Sequence, residues 1–271
     1  MSASNSPLEI YKLLNRSNCQ KCMLPSCMAF SVAVVQGGKQ LKDCPELDAQ
    51  VLEAAGVPEN PRQSIEDEQQ ISLNKMIRMV AEIDFSSVAE RLGGTVYHDK
   101  LAMNCLGKEF IIDNSGEMTS ECHYNQWVHI PLLSYIVHGQ GKEISGQWCP
   151  FNQLEGAASW SRFFTHRCEE DLRQLADAHT DLFFELLNLF AAQEVAETDA
   201  DYSLVIHPLP KLPLVIHYWP AEDDFPSKMS IFFDRSAPDN LNIEYIYTIT
   251  RGIVEMFRQL IVKHNMTGKL F

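Results

Sequence analysis

Apolar and polar positions divide the chain into a helical head, a mixed body and a helical tail. Residues 7–15 place Leu8, Tyr11, Leu13 and Leu14 on a short amphipathic helix. Residues 27–36 (CMAFSVAVVQ) are apolar at helical spacing and stop at Gly37-Gly38, a natural C-cap, and a further short helix is expected over 45–55. Ile71, Leu73, Met76, Ile77, Val80 and Ile83 line one side of a helix that begins near Ser64, and Ser86-Ser87 opens a second piece that ends at Gly93-Gly94. The period then shortens. Residues 95–113 (TVYHD, LAMNC, EFIID) read as short strands of a meander, closed by the Asn114-Ser115-Gly116 turn. Residues 124–137 are apolar enough for a buried helix with Pro131 in its first turn or at a kink. Helices follow over 159–167 and 169–195, the latter with Leu172, Leu175, Leu182, Phe183, Leu186, Leu187 and Phe190 as its stripe. Residues 202–207, 212–219 and 229–233 are strands, and 240–264 is a long terminal helix.

Residues 56–64 (GVPENPRQS) are the clearest linker, rich in Pro, Gly and polar side chains. The expected organisation is therefore a small helical domain over 1–56 and a larger domain over 65–271. The fold class is α+β, with helices packed on a short, mainly antiparallel sheet in the larger part.

Composition narrows the function. A chain of 30.8 kDa can bury at least one full core. Its net charge of −14 argues against nucleic-acid binding, which needs a basic stripe, and suits docking to a basic surface. No apolar run is long enough to span a bilayer, and residues 1–7 hold neither a basic n-region nor an apolar h-region. The expected setting is a reducing cytoplasm. P-loop, G-x-G-x-x-G, G-x-S-x-G and H-E-x-x-H patterns are all missing from the sequence.

The strongest chemical signal is Cys19, Cys22, Cys27 and Cys44, spaced C-x2-C-x4-C-x16-C. Disulfides need an oxidising compartment, whereas thiolates suit zinc or iron–sulfur iron. Zinc sites commonly pair their cysteines in two short knuckles, while iron–sulfur sites show a compact run of three with a distant fourth, often before Pro, as in Cys44-Pro45. Spacing favours iron–sulfur and leaves zinc and unligated thiols as alternatives. A helix starting at Cys27 would turn its N–H groups and dipole toward a negative thiolate cluster.

The surrounding residues sharpen this. Asn18 to Phe30 (NCQKCMLPSCMAF), then Gly37-Gly38-Lys39 and Leu41-Lys42-Asp43-Cys44-Pro45, resemble the four-cysteine [4Fe-4S] domain of the corrinoid/iron–sulfur protein large subunit and of the B subunit of the Rnf complex. The resemblance covers about residues 8 to 47 and implies one [4Fe-4S] cluster held by Cys19, Cys22, Cys27 and Cys44 in a low-oxygen metabolism. That family usually has Gly after the first two cysteines, where this chain has Gln20 and Met23. Residues 70–265, through Gly146 to Gly156 (GQWCPFNQLEG), Leu209 to Pro213 (LPKLP) and Ile231 to Asp234 (IFFD), resemble a domain family of unknown function that follows such modules in proteins of anaerobes.

Other candidates each have an ordinary structural reading. Glu222-Asp223-Asp224 could bind a hard cation or do acid–base work, but charge runs usually face water. Cys122, His123 and His129 fit no strong metal spacing, and Cys105, Cys149 and Cys168 read as core thiols. His217 could be an axial ligand to a corrinoid metal; a partnered strand histidine is the commoner case. Trp148, Phe151 and Phe163 could line a flat pocket or simply join the core. Glu222, Asp223, Asp224, His217 and Asp234 are the candidates if the larger domain is an enzyme. The reading favoured is single-electron transfer or a redox accessory role, with a redox partner protein, a link to corrinoid-dependent methyl transfer and a small-molecule or corrinoid ligand for the larger domain. The alternative is a metal-stabilised interaction or ligand-binding module without redox activity.

Overall fold

A computed structural model describes residues 6–22, 24–35, 39, 41–47, 65–121, 126–196, 198–222 and 225–267. Met23, the Gly37-Gly38 stop, the helix expected beyond residue 47, the linker, Cys122, His123, Asp223 and Asp224 lie outside them. The described residues cluster into two compact units, through Ile71 and from Ser72 onward.

The first unit holds helices α1 (Pro7–Leu13) and α2 (Cys27–Val35), which pack together, and a 3-10 turn at Leu41–Asp43. Its core is small: Leu14, Cys27, Phe30 and Cys44 are buried, with Tyr11, Cys22, Leu24, Val34 and Leu47 packed against them.

The second unit is α+β, as the sequence predicts. α3 (Ile65–Val80) spans the division at Ile71; its part from Ser72 onward buries Leu73, Met76 and Val80, whereas Ile71, expected on the same stripe, is exposed. α4 (Phe85–Leu92) begins at Asp84, whose carboxylate accepts the Ser86 N–H at 2.9 Å, and ends at Gly93 in the left-handed region. A four-stranded antiparallel meander follows: β1 (Thr95–Tyr97), β2 (Lys100–Cys105), β3 (Lys108–Ile112) and β4 (Met118–Ser120). The first two hairpins close through His98-Asp99 and Leu106-Gly107, and all four turn residues have positive φ, as tight two-residue hairpin loops require. Gly107 is also needed for space, because a Cβ there would lie 2.6 Å from that of Ala191.

After α5 (Gln126–His138), a second antiparallel sheet is ordered β5-β9-β8-β7-β6. Its strands are β5 (Trp148–Pro150), β6 (Gln193–Glu194), β7 (Tyr202–Leu209), β8 (Leu212–Trp219) and β9 (Lys228–Asp234). β8 is buried along nearly its whole length, as befits a strand covered on both faces. β7 runs past its expected end because a register irregularity between Ile206 and Leu209 absorbs Pro208.

The helix expected over 169–195 is corrected. The chain runs from α6 (Ser161–Phe164) through a π-helical turn (Thr165–Glu170) into α7 (Asp171–Ala178), breaks at His179, and continues as α8 (Thr180–Leu189). His179 leaves helical geometry, and Asp181 then sits in a fresh first turn, where the helix dipole favours it. α9 (Ala237–Asn240) precedes the long α10 (Ile243–Thr267), which packs on α5, α7 and α8 and buries Ile246, Ile249, Ile253, Val254, Phe257 and Ile261.

Candidate metal centre

The loop from Asn15 to Ser26 is built around its sulfurs. Ser26 caps α2, its hydroxyl accepting the Ala29 N–H at 3.1 Å and its carbonyl the Phe30 N–H at 3.0 Å. The Cys27 N–H is bound by the Asn18 carboxamide oxygen at 2.8 Å, and the Asn18 N–H donates in return to Cys27 Sγ at 3.3 Å. This reciprocal pair clamps the loop to the start of the helix. Arg16, Asn18 and Gln20 all have positive φ, at 58°, 48° and 59°. Gln20 stands where the resembling family carries Gly, so the position demands the left-handed conformation that Gly adopts freely.

Cys19, Cys22, Cys27 and Cys44 line one pocket, together with Leu14, Asn18 and Phe30 among others. Three of the sulfurs accept backbone N–H groups: Cys19 from Lys21, Cys27 from Asn18 and Cys44 from Glu46. N–H donation to sulfur is one of the means by which proteins set the potential of an iron–sulfur cluster. The Lys21 hydrogen bond, assisted by Ser17, pulls the Cys19 thiol down from its ordinary pKa; burial pushes the Cys44 thiol up, against the Glu46 hydrogen bond. Cys19 is exposed at the mouth, Cys22 is half-buried, and Cys27 and Cys44 are buried. Lys21 pairs with Glu46, and the Asn15 side chain donates to the Glu46 carbonyl at 3.4 Å, which ties the first loop to the fourth cysteine.

The described cysteines are free thiols. Two of the four residues buried at the centre of this unit are Cys27 and Cys44. A unit this small rarely holds its fold on apolar contacts alone and usually needs a metal or crosslinks, so the donor set fits a bound thiolate-ligated group. Among the described residues, no three His, Cys, Asp or Glu side chains gather closely enough for a single metal ion.

The second unit disperses the other candidates. Glu222 and Phe225, both exposed, exchange backbone hydrogen bonds at 3.1 and 2.7 Å. His129 is half-buried with Nε2 3.0 Å from the Gly116 carbonyl, and burial lowers its pKa. His217 lies on β8 with its ring 4.8 Å from that of Phe232, and burial lowers its pKa as well. Phe151 is in the core, stacked on Phe164, whereas Phe163 is 58% exposed and Trp148 37% exposed, so no common aromatic pocket forms. Asp234 is fully buried and its oxygens are committed to Ser145, Gly146 and Ser236. Cys105, Cys149 and Cys168 are separate core thiols.

Sequence reasoning missed the Asn18 clamp, whose one signal was an Asn directly before the first cysteine. It also missed a cleft beside the π-helical turn, which combines residues from two separate segments.

A family model described as "Putative Fe-S cluster" matches residues 14–46. The same region is 46% identical over 43 residues to acetyl-CoA decarbonylase/synthase complex subunit gamma 2 of Methanosarcina mazei, covering 16% of this chain and 9% of the relative. It is 43% identical over 54 residues to the corrinoid/iron-sulfur protein large subunit of Moorella thermoacetica, covering 19% of this chain and 12% of the relative. The chain thus spans about a tenth of the length of these curated relatives. No solved structure matches it. Fold, thiol site and matches together define an iron–sulfur protein with a cluster domain at its N-terminus and an α+β domain after it. Domain of unknown function DUF3786 matches residues 84–256, well over half of the sequence, and the chain belongs to that family. Among the described residues no helix is long and apolar enough to cross a membrane.

Proposed function

We propose that this protein transfers single electrons through one [4Fe-4S] cluster held by Cys19, Cys22, Cys27 and Cys44. The observation that carries the reading is that all four thiols line one pocket while two of them are buried in the unit's core beside Leu14 and Phe30. The compact run of three cysteines with a distant fourth before Pro45 supports an iron–sulfur cluster over the paired knuckles common in zinc sites. When bound, the cluster supplies reversible one-electron chemistry. The chain's own part is to present thiolates, to donate N–H groups from Asn18, Lys21 and Glu46 to sulfur, and to leave the Cys19 corner open to a partner.

Residues 1–56 then act as the redox module and 65–271 as the part that uses or directs its electrons. The similarity to subunits of acetyl-CoA decarbonylase/synthase complexes and to a corrinoid/iron-sulfur protein supports a protein partner and a setting in corrinoid-linked methyl transfer. Free thiols support a reducing cytoplasm.

Anaerobic reductive titration of the full chain tests the role. The expected result is uptake of about one electron per chain, returned to an oxidised acceptor protein and lost in Cys27→Ser. A colourless protein that takes up no electron would overturn it and leave a redox-silent interaction module.

A further inference from the structure

The second unit contains a cleft of about 330 Å³ lined by Pro150, Phe151, Asn152, Ser161, Arg162, Phe164, Thr165, His166 and Glu169. That is the size of a small-metabolite site. One wall is rigid: Phe151 and Phe164 stack with centroids 4.0 Å apart, nearly parallel, and Phe233 packs edge-on to both at 6.0 and 5.7 Å. The other wall is the segment that turns from α6 into the π-helix Thr165–Glu170, and such π turns are frequent at functional sites. Pro150, Phe151 and Asn152, at the end of β5 and in the turn after it, come from the Gly146–Gly156 stretch, so both walls belong to the DUF3786 region.

Two of the lining side chains, Arg162 and Glu169, are oppositely charged and spaced along one continuous helical run. Glu169 accepts the Ile231 N–H at 3.0 Å, just beyond the point where β5 stops pairing with β9, and a hydrogen bond from the Thr165 side chain holds it as well. Burial raises its pKa. Arg162 lines the same cleft seven residues earlier, which by helical rise puts its backbone on the order of 10 Å from that of Glu169. Among the described residues no carboxylate pairs with it. His166 lies between them on the same wall, and Asn152 faces in from the strand end.

We propose that this cleft binds a small amphoteric metabolite, its anionic end against Arg162 and His166 and its cationic or donor end against Glu169. Two fixed opposite charges at the ends of a walled cleft select a ligand with the reverse arrangement, and a ligand of single sign meets one repulsion. This site stands independently of the thiol pocket and needs no cluster.

Calorimetry of the full chain with 5-aminovalerate and with glutarate tests it. 5-Aminovalerate is expected to bind the native chain and to bind Arg162→Gln and Glu169→Gln at least about tenfold more weakly. Glutarate, anionic at both ends, is expected to bind the native chain poorly and to gain in Glu169→Gln, a reversal that a purely structural Glu169 would not produce. The Gln amide oxygen in Glu169→Gln can still accept the Ile231 N–H, and Arg162 is exposed, so Arg162→Gln decides the matter even should Glu169→Gln misfold. No binding of 5-aminovalerate to the native chain, or equal binding to Arg162→Gln, would overturn the proposal.

Discussion

Removing the Asp234 carboxylate should unfasten the second unit. Asp234 is fully buried at the end of β9, where its backbone pairs with Trp148 of β5. Oδ1 accepts from Ser145 N and Oγ at 3.1 and 2.9 Å and from Ser236 N and Oγ at 2.9 and 2.6 Å; Oδ2 accepts Gly146 N at 2.7 Å. Asp234→Ala leaves three backbone N–H groups and two hydroxyls without their acceptor. Hydrogen bonds to charged groups are worth about 1.5–3 kcal/mol each, and hydroxyls can turn to other partners, so the expected loss is about 3–5 kcal/mol. For a unit of some 200 residues that lowers Tm by roughly 10 °C. Asp234→Asn keeps the volume and one acceptor and should cost about 1–3 kcal/mol. Burial by itself would raise the Asp234 pKa, but the bonds from Ser236 and Ser145 outweigh it and hold the group below its ordinary value. Its stabilising effect is therefore complete above about pH 4 and fades as the pH falls through the lower folded-state value. Urea unfolding of native and variant chains at pH 7 and again in acid measures both effects. A loss under about 0.5 kcal/mol in Asp234→Ala, as for an ordinary surface position, would refute the reasoning.

Three further outcomes are expected. Asn18→Ala removes the acceptor for the Cys27 N–H, about 1 kcal/mol, and places Ala at φ 48°, about 1 kcal/mol more; Asn18→Gly should show only the first loss, read from anaerobic thermal bleaching of the visible absorption. Gln20→Gly should raise the bleaching temperature through relief of the left-handed backbone, by about 0.5–1 kcal/mol, and a lowered temperature would contradict the backbone argument. Asn240→Ala breaks the buried side-chain bonds to Lys142 and Lys211 and should cost about 2 kcal/mol in thermal unfolding.

The long periodic elements and the cysteine quartet were legible because their information is local. The stripe of α10, the β2–β3 hairpin and the C-x2-C-x4-C spacing all sit within short windows. β4, β5 and β6 were not legible. They are two or three residues long, too short to display a period, and β5 exists only because Trp148, Cys149 and Pro150 meet Asp234, Phe233 and Phe232. The break at His179 was hidden by an apolar stripe that continues on both sides of it. Phe151 and Phe163 looked alike in sequence, yet one is core and the other exposed, because only the fold decides which face of the turn meets Phe164. The thiol site was legible as a spacing but not as geometry. Nothing in the spacing foretold that Asn18 would bond both the N–H and the sulfur of Cys27. The cleft escaped notice because Asn152 and Glu169 come from segments with no shared motif.

Iron and acid-labile sulfide assayed on anaerobically prepared full-length chain probe the thiol site most directly, with Cys19, Cys22, Cys27 and Cys44 each changed to Ser and Cys105, Cys149 and Cys168 changed as controls. About four iron and four sulfide per native chain, collapsing in the buried-ligand variants Cys27→Ser and Cys44→Ser and unchanged in the three controls, is the predicted result. Stoichiometric zinc with no sulfide, or a cluster that survives those two changes, would contradict it.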